Sequence, residues 1–160
     1  MLLKVGAEQS KHWSVFEAEV LPGFDVGAHL HRGAEEFFYV LEGELELLAF
    51  EPRVRTKDNW RTWESKTGAK VVRGGPGSAM FVPAGCPHAF TNPGTTTARM
   101  LFLVGPPGHE HYLDELGDLL THAGPPDQAA IAKLRFRHDI EQLTPLVPGR
   151  GGFPPGRRPG

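Results

Sequence analysis

The chain has 160 residues, of which 39% are hydrophobic, and a formal net charge of −2, which favours one globular domain over a disordered chain. Glycine and proline make up more than a fifth of the residues, which argues against an all-helical bundle because both destabilise helices. The chain up to Val147 contains 14 basic and 19 acidic residues, so it presents no broad positive field for nucleic acid.

The cysteine count and the absence of long apolar runs indicate the cellular compartment. The single cysteine, Cys86, excludes a disulfide framework and a cysteine-rich zinc site, and it fits a reducing compartment. The first residues do not have the pattern of a secretory signal, and no apolar run approaches the roughly 20 residues that cross a bilayer. We therefore expect a cytoplasmic protein that binds neither membrane nor nucleic acid.

The chain up to residue 104 is predicted to form short strands separated by turns rich in Gly and Pro. Residues 37–41 and 44–48 flank the Glu42-Gly43 turn, which predicts a hairpin. Many short strands at regular spacing are typical of a β-sandwich or a small barrel. Apolar alternation and buried apolar runs predict strands at 12–21, 27–31, 37–41, 44–48, 71–72, 79–82, 88–92 and 99–104.

Residues 51–70 interrupt this rhythm with basic side chains interleaved with Trp60 and Trp63. Such a segment can stack on an aromatic ligand or a nucleobase. The alternative is a long exposed hairpin whose tryptophans cover the end of the barrel. We favour the hairpin because most charge runs are solvated faces.

Beyond residue 104 the apolar residues recur with the spacing of a helix instead of alternating as in a strand. An apolar stripe predicts one helix, and Pro126 near the start of 127–136 favours a second. We therefore divide the chain into a β-domain at 1–104, a helical extension at 105–147 packed on it, and a disordered tail at 148–160. The stripe contains Leu113, Leu116, Leu119 and Leu120, and the second helix directs Ala129, Ala130, Ile131 and Leu134 inward.

Histidines on predicted strands form the candidate site. His29 and His31 are two residues apart on one strand, so both imidazoles point to the same face. Either Glu35 or Glu36 begins the next strand, and His88 begins a strand in the second half. Imidazoles with one carboxylate suit a divalent transition metal, namely Fe, Mn, Ni, Co or Zn.

The other histidines are set aside. His109 and His111 open a predicted helix, where residues two apart do not face each other. The three remaining histidines, His12, His122 and His138, are isolated in the sequence.

Two spaced motifs carry a family resemblance: Gly23-x5-His29-x-His31-x4-Glu36-x6-Gly43 and Gly77-x5-Pro83-x-Gly85-x2-His88-x3-Asn92. Both match the cupin motifs at every fixed position. The chain resembles the cupin superfamily, in particular the small single-domain cupins similar to quercetin dioxygenase. The resemblance implies an all-β fold, a double-stranded β-helix (jelly-roll) barrel with a short helical C-terminal extension.

The resemblance also implies a metal site. His29, His31, Glu36 and His88 match the positions that hold the family's metal, so one divalent transition metal is the expected cofactor. The six-residue interval to Gly43 selects Glu36 over its neighbour, and strand alternation then turns the two glutamates to opposite faces. Glu36 is also the candidate catalytic base.

The predicted pocket consists of side chains that share the ligand-bearing face: Phe38, Val40, Phe90 and Phe102. They either line a cavity for a hydrophobic small-molecule substrate or simply fill the barrel. Cys86 is either a redox-sensitive thiol near the site or a small buried filler, and we favour the filler.

The function expected from the resemblance is that of a metal-dependent oxidoreductase similar to quercetin dioxygenase, acting on a small aromatic or enolisable substrate. One alternative is a lyase, isomerase or polyketide-type cyclase that uses the metal as a Lewis acid. Another is a non-catalytic ligand-binding cupin, because this fold hosts many activities.

A homodimer is expected from the opposite face of the strand that carries Glu36. Phe37, Tyr39 and Leu41 make that face apolar, and exposed apolar patches usually mark contacts. The C-terminal helices are the alternative cover for it.

Overall fold

Two antiparallel five-stranded sheets form the body of the molecule in the computed structural model, which describes residues 1–121 and 124–150. Sheet I has the strand order β1-β2-β9-β4-β7, and sheet II has the order β10-β3-β8-β5-β6. The predicted all-β fold class with two short helices is confirmed. The strands are β1 (Leu2–Val5), β2 (Ser14–Val20), β3 (His29–His31), β4 (Glu35–Glu42), β5 (Leu45–Ala49), β6 (Val72–Gly74), β7 (Ala79–Val82), β8 (His88–Thr91), β9 (Ala98–Gly105) and β10 (Ile140–Gln142), and the helices are α1 (His109–Leu120) and α2 (Gln128–Arg137).

All eight predicted strand regions contain a strand, but two strands were not predicted. β1 and β10 are edge strands of four and three residues, too short to show a period of two. β10 lies in the segment assigned to helices and pairs with β3. In α2 the buried residues are Ile131, Leu134 and Arg135, whereas Ala129, which was expected to face inward, is exposed.

The hairpin predicted between 37–41 and 44–48 is wrong. β4 pairs with β7 and β9 in sheet I, while β5 pairs with β6 and β8 in sheet II. Gly43, at φ 75°, takes the chain from one sheet to the other instead. A Cβ at this position would lie 2.8 Å from the Cβ of Ala98, so the crossing requires glycine. A local turn motif cannot distinguish a hairpin from such a crossing.

The main hydrophobic core lies between the sheets, and a second core joins the helices to it. Phe24 and Leu113 pack against both cores, so the helices continue the packing of the barrel. The main core includes Phe16, Val40, Leu45, Val82, Met100 and Phe102, and the second core contains Tyr112, Leu116, Ile131, Leu134, Ile140 and Leu146.

The tryptophans of residues 51–70 are buried, so their interpretation as a stacking surface is wrong. Trp60 and Trp63 are 1% and 2% exposed and pack with Leu48 and Ala89. Leu48 and Ala89 are next to the core residues Leu47 and Phe90, so their side chains point to the outer face of sheet II. The indoles therefore cover that face rather than the end of the barrel. The Trp60 Nε1 donates to the carboxylate of Asp25 at 2.9 Å, which satisfies its polar atom.

The outer face of sheet I keeps aromatic side chains in solvent. Tyr39 is 38% exposed and Phe81, the register partner of Phe37, is 54% exposed. The C-terminal helices therefore do not cover this part of the face, and the homodimer stays a prediction.

The C-terminal end of the described chain packs against the turn that follows β2. Gly149 lies against Leu21, and the Arg150 N–H donates to the carbonyl of Pro22 at 2.8 Å. Most of the predicted tail, residues 151–160, and His122 lie outside the described residues. The division of the chain at residue 104 stays a prediction. None of the described helices has the length and apolar character needed to cross a membrane.

Candidate metal centre

Four buried side chains converge between the two sheets: His29, His31, Glu36 and His88. Atoms of these residues that could bind a metal all lie within 4.8 Å of one another. His29 on β3 and His88 on β8 are direct register partners in sheet II, whereas Glu36 reaches them from β4 in sheet I. The site therefore exists only where the two sheets face each other.

Polar atoms at the centre of this cluster lack ordinary partners. The Glu36 carboxylate places Oε1 3.3 Å from His31 Nε2 and Oε2 2.5 Å from His88 Nε2. Despite this proximity, the two Nε2 atoms and Glu36 Oε2 make no hydrogen bond of normal geometry with any described residue. Buried polar atoms are almost always hydrogen-bonded, so this convergence fits atoms that bind a cation. Three imidazole nitrogens and one carboxylate are a suitable set for a divalent transition metal.

Main-chain carbonyls orient the imidazoles. His29 donates from Nδ1 to the Gly27 carbonyl at 2.8 Å, and His88 donates from Nδ1 to the Cys86 carbonyl at 3.1 Å. A carbonyl only accepts, so each Nδ1 carries a proton, and in the neutral form of either ring Nε2 has a lone pair that can face the centre. Burial opposes protonation of His31, but the Glu36 carboxylate and, less strongly, Asp139 next to β10 raise the pKa of His31.

Electrostatics keep Glu36 and His29 in the forms that bind metal. Burial alone would raise the pKa of Glu36, but the imidazoles of His31 and His88 outweigh it and hold the pKa well below its usual value. Burial, reinforced by His88, lowers the pKa of His29 well below its usual value. At neutral pH Glu36 is therefore an anion and His29 is neutral, as metal binding requires.

A cavity of about 90 Å³ adjoins the cluster, and His29 and Glu36 belong to its wall. Three of the four predicted pocket residues, Phe38, Phe90 and Phe102, line it. Val40 does not: it is 1% exposed and packs in the main core. The C-terminal segment contributes a further part of the wall through His109, Tyr112, Leu113, Leu116, Arg135 and Leu146. The rest of the wall comes from Met1, Ala18, Glu19, Val20, Leu21, Phe24, Val26 and Met100.

Comparison with known proteins places this architecture in a family. The sequence model of the Cupin family matches residues 7–123, most of the chain. This chain is a cupin. No curated protein matches its sequence.

Three solved structures similar to this cupin are 24–27% identical to it over the aligned residues. TT1209 from Thermus thermophilus is 26% identical, covering 64% of this chain and 80% of its own at a TM-score of 0.48. A predicted oxalate decarboxylase from Thermotoga maritima is 24% identical, with 62% and 70% covered at a TM-score of 0.46. The polyketide cyclase RemF from Streptomyces resistomycificus is 27% identical, with 63% and 61% covered at a TM-score of 0.46.

His109, which the sequence analysis set aside, lies on the cavity wall of this cupin. Its ring centroid is 5.8 Å from that of His31 and 5.0 Å from that of Tyr112. Burial lowers the pKa of His109 to about 4, so the ring is neutral at neutral pH. His111 is exposed, so the two rings do not face each other, but His109 alone turns inward. Its position four residues before Leu113, on the apolar stripe of α1, is a signal that indicates burial.

Cys86 is half-buried at the edge of the main core. Burial raises the pKa of its thiol, which disfavours the reactive thiolate. The interpretation of Cys86 as a small filler is therefore favoured over that of a redox-sensitive thiol.

Glu35 and Glu36 turn to opposite faces, as strand alternation predicts. Glu36 is 2% exposed and faces the imidazoles, whereas Glu35 is in solvent.

Proposed function

We propose that this cupin is a metal-dependent oxidoreductase resembling quercetin dioxygenase, which binds a small aromatic or enolisable substrate inside the barrel. The observation that carries the proposal is the shared wall of the cluster and the cavity. His29 and Glu36 belong to both, so a molecule in the cavity lies directly beside the candidate ligands.

The four residues of the cluster would hold the metal. A divalent transition metal there would supply Lewis-acid polarisation of a substrate oxygen and, where it is redox-active, a path for electrons to O₂. Glu36, held ionised by its neighbours, is placed to accept the proton of a substrate hydroxyl at one of its carboxylate oxygens. The rings of Phe38, Phe90 and Phe102 exclude water and pack against the substrate's apolar body.

A second candidate is a lyase, isomerase or cyclase that uses the metal only as a Lewis acid. Its support is His109, a neutral imidazole on the cavity wall outside the proposed ligand set. Such chemistry moves protons without O₂, and an imidazole beside the substrate is a suitable acid–base group for it. A non-catalytic ligand-binding cupin is the third candidate.

The metal content of protein purified without added metal, measured with O₂ uptake on a flavonol and on a 1,3-diketone, separates these candidates. Iron, nickel or manganese together with O₂ uptake supports the oxidoreductase. Tightly held zinc with substrate turnover but no O₂ uptake supports the Lewis-acid enzyme. No retained metal under any condition favours the binding module and refutes the proposal.

The matched variants for this experiment are His88→Ala and Cys86→Ser. His88→Ala removes one proposed ligand, so the metal-to-protein ratio should fall while the far-UV circular dichroism is retained. Cys86→Ser changes a neighbouring side chain outside the cluster, and its metal content should equal that of the wild type.

A further inference from the structure

A buried cation forms part of the cavity wall. Arg135, on α2, is 1% exposed and lines the cavity that adjoins the metal cluster. Arginine is almost never fully buried unless it is paired. Among the residues that the structure describes, however, no carboxylate forms an ion pair with this guanidinium.

Neutral acceptors hold the guanidinium in place. Nε donates to the Tyr112 hydroxyl at 3.0 Å, and Nη2 donates to the Val26 carbonyl at 2.8 Å. Nη1 is buried and has no hydrogen-bond partner among residues 1–121 and 124–150. Tyr112 and Val26 also line the cavity, so the charged group is fixed within the wall with one nitrogen unused. A buried donor without a partner is costly in a folded protein.

The nearby carboxylates are engaged elsewhere. Asp25 accepts from Trp60 Nε1 at 2.9 and 3.1 Å and from the Gly27 N–H at 2.8 Å. Glu36 faces the imidazoles of the metal cluster. Glu19, which lines the cavity together with Glu36, is exposed to solvent. The positive charge of Arg135 is therefore not neutralised by direct contact.

We propose that Arg135 binds an anionic group of the ligand, so that the cavity takes a small carboxylate or enolate with a compact apolar body. The planar guanidinium suits the two oxygens of a carboxylate, and the phenyl rings of Phe38, Phe90 and Phe102 suit the apolar body. This inference rests on the proposed function, because it takes the cavity to be the substrate site, and it narrows the substrate to an amphipathic anion.

The experiment compares ligands that differ only in charge. Zinc-loaded full-length protein is titrated calorimetrically with benzoate and with its neutral analogue benzamide, and with butyrate and butyramide as a smaller pair. Wild-type protein should bind each carboxylate at least about tenfold more tightly than its amide, as expected for a charge-assisted hydrogen bond. Equal affinity for acid and amide would overturn the proposal.

Zinc also attracts anions, so two variants on α2 distinguish the contribution of Arg135 to anion binding from that of zinc. Arg135→Gln should lower the ratio of acid affinity to amide affinity at least about tenfold at the same zinc content. Arg137→Gln removes the same charge from an exposed side chain paired with Glu115, and it should leave the ratio unchanged. A ratio that survives Arg135→Gln means that the arginine only ties α2 to Val26 and Tyr112.

A measurement on wild-type protein covers the case in which Arg135→Gln does not fold. Benzoate, but not benzamide, should shift the ¹⁵N resonances of the Arg135 guanidinium, and no shift at saturating benzoate would refute the contact. Failure of the proposed function is distinct from these results, because it would show as absent metal or absent turnover while the anion preference remained.

Discussion

Replacing Glu36 by glutamine keeps the shape of the side chain and removes the carboxylate of the candidate metal site. The carboxylate is 2% exposed, and its two oxygens lie 3.3 and 2.5 Å from the Nε2 atoms of His31 and His88. An amide offers one weak oxygen ligand in place of an anion, so three imidazoles remain to hold the metal. Loss of residues that merely support a ligand weakens metal binding about 10–100-fold, and loss of a ligand should cost at least as much. That range corresponds to about 1.4–2.7 kcal/mol of binding free energy.

The control is Glu35→Gln, one residue away on the outer face of β4, where the side chain is exposed. Competition of zinc against a chromophoric chelator gives the two affinities, and far-UV circular dichroism shows whether each variant folds. We expect Glu36→Gln to bind zinc at least about tenfold more weakly and Glu35→Gln to match the wild type. A Glu36→Gln protein that folds and keeps wild-type affinity, or a damaging Glu35→Gln, would refute the ligand assignment.

Three further predictions concern stability and assembly. Burial opposes a low pKa at Glu110, but hydrogen bonds from backbone N–H groups and a serine hydroxyl outweigh it and lower the pKa. Glu110→Gln should therefore cost about 1 kcal/mol in urea denaturation at pH 7, after discounting for the solvent exposure of the group, and this difference should shrink as the pH falls through the lowered pKa of Glu110. Gly27→Ala should lower the melting temperature more than Gly68→Ala does. Both glycines have a positive φ, but of the two only Gly27 would place a Cβ 2.5 Å from a backbone carbonyl oxygen. Equal decreases in melting temperature would contradict this reasoning. We expect a homodimer by light scattering at micromolar concentration, dissociated by Phe81→Glu but not by Val54→Glu in the 51–70 segment; a monomeric wild type would exclude it.

Periodicity was enough to predict eight of the ten described strands and the direction of the side chains on β3 and β4. Alternation along β4 turned Glu36 inward, and the two-residue spacing of His29 and His31 set both rings on one face. These are local properties of an extended backbone, so they can be recognised without knowledge of the fold.

Features that depend on distant partners could not be predicted in this way. The pairing of β5 and β8, rather than of β5 and β4, depends on residues about 40 positions apart in the chain. Trp60 and Trp63 lie in a charged run, and their burial depends on the outer face of sheet II. Arg135 was not a candidate core residue, because its burial requires acceptors from Val26 and Tyr112.

The pairing of β10 with β3 links the metal cluster to the order in which the chain is synthesised. All four candidate ligands precede residue 89, yet β3 gains its second neighbouring strand only from Ile140–Gln142. Asp139, whose neighbour Ile140 pairs with His31, accepts from the Gly33 N–H, across 106 residues of sequence. During translation, therefore, the ligands emerge long before the strand and backbone that position them. The nascent chain would present the imidazoles of β3 without one of the two neighbouring strands, and their final orientation would be fixed only after the C-terminal segment has docked.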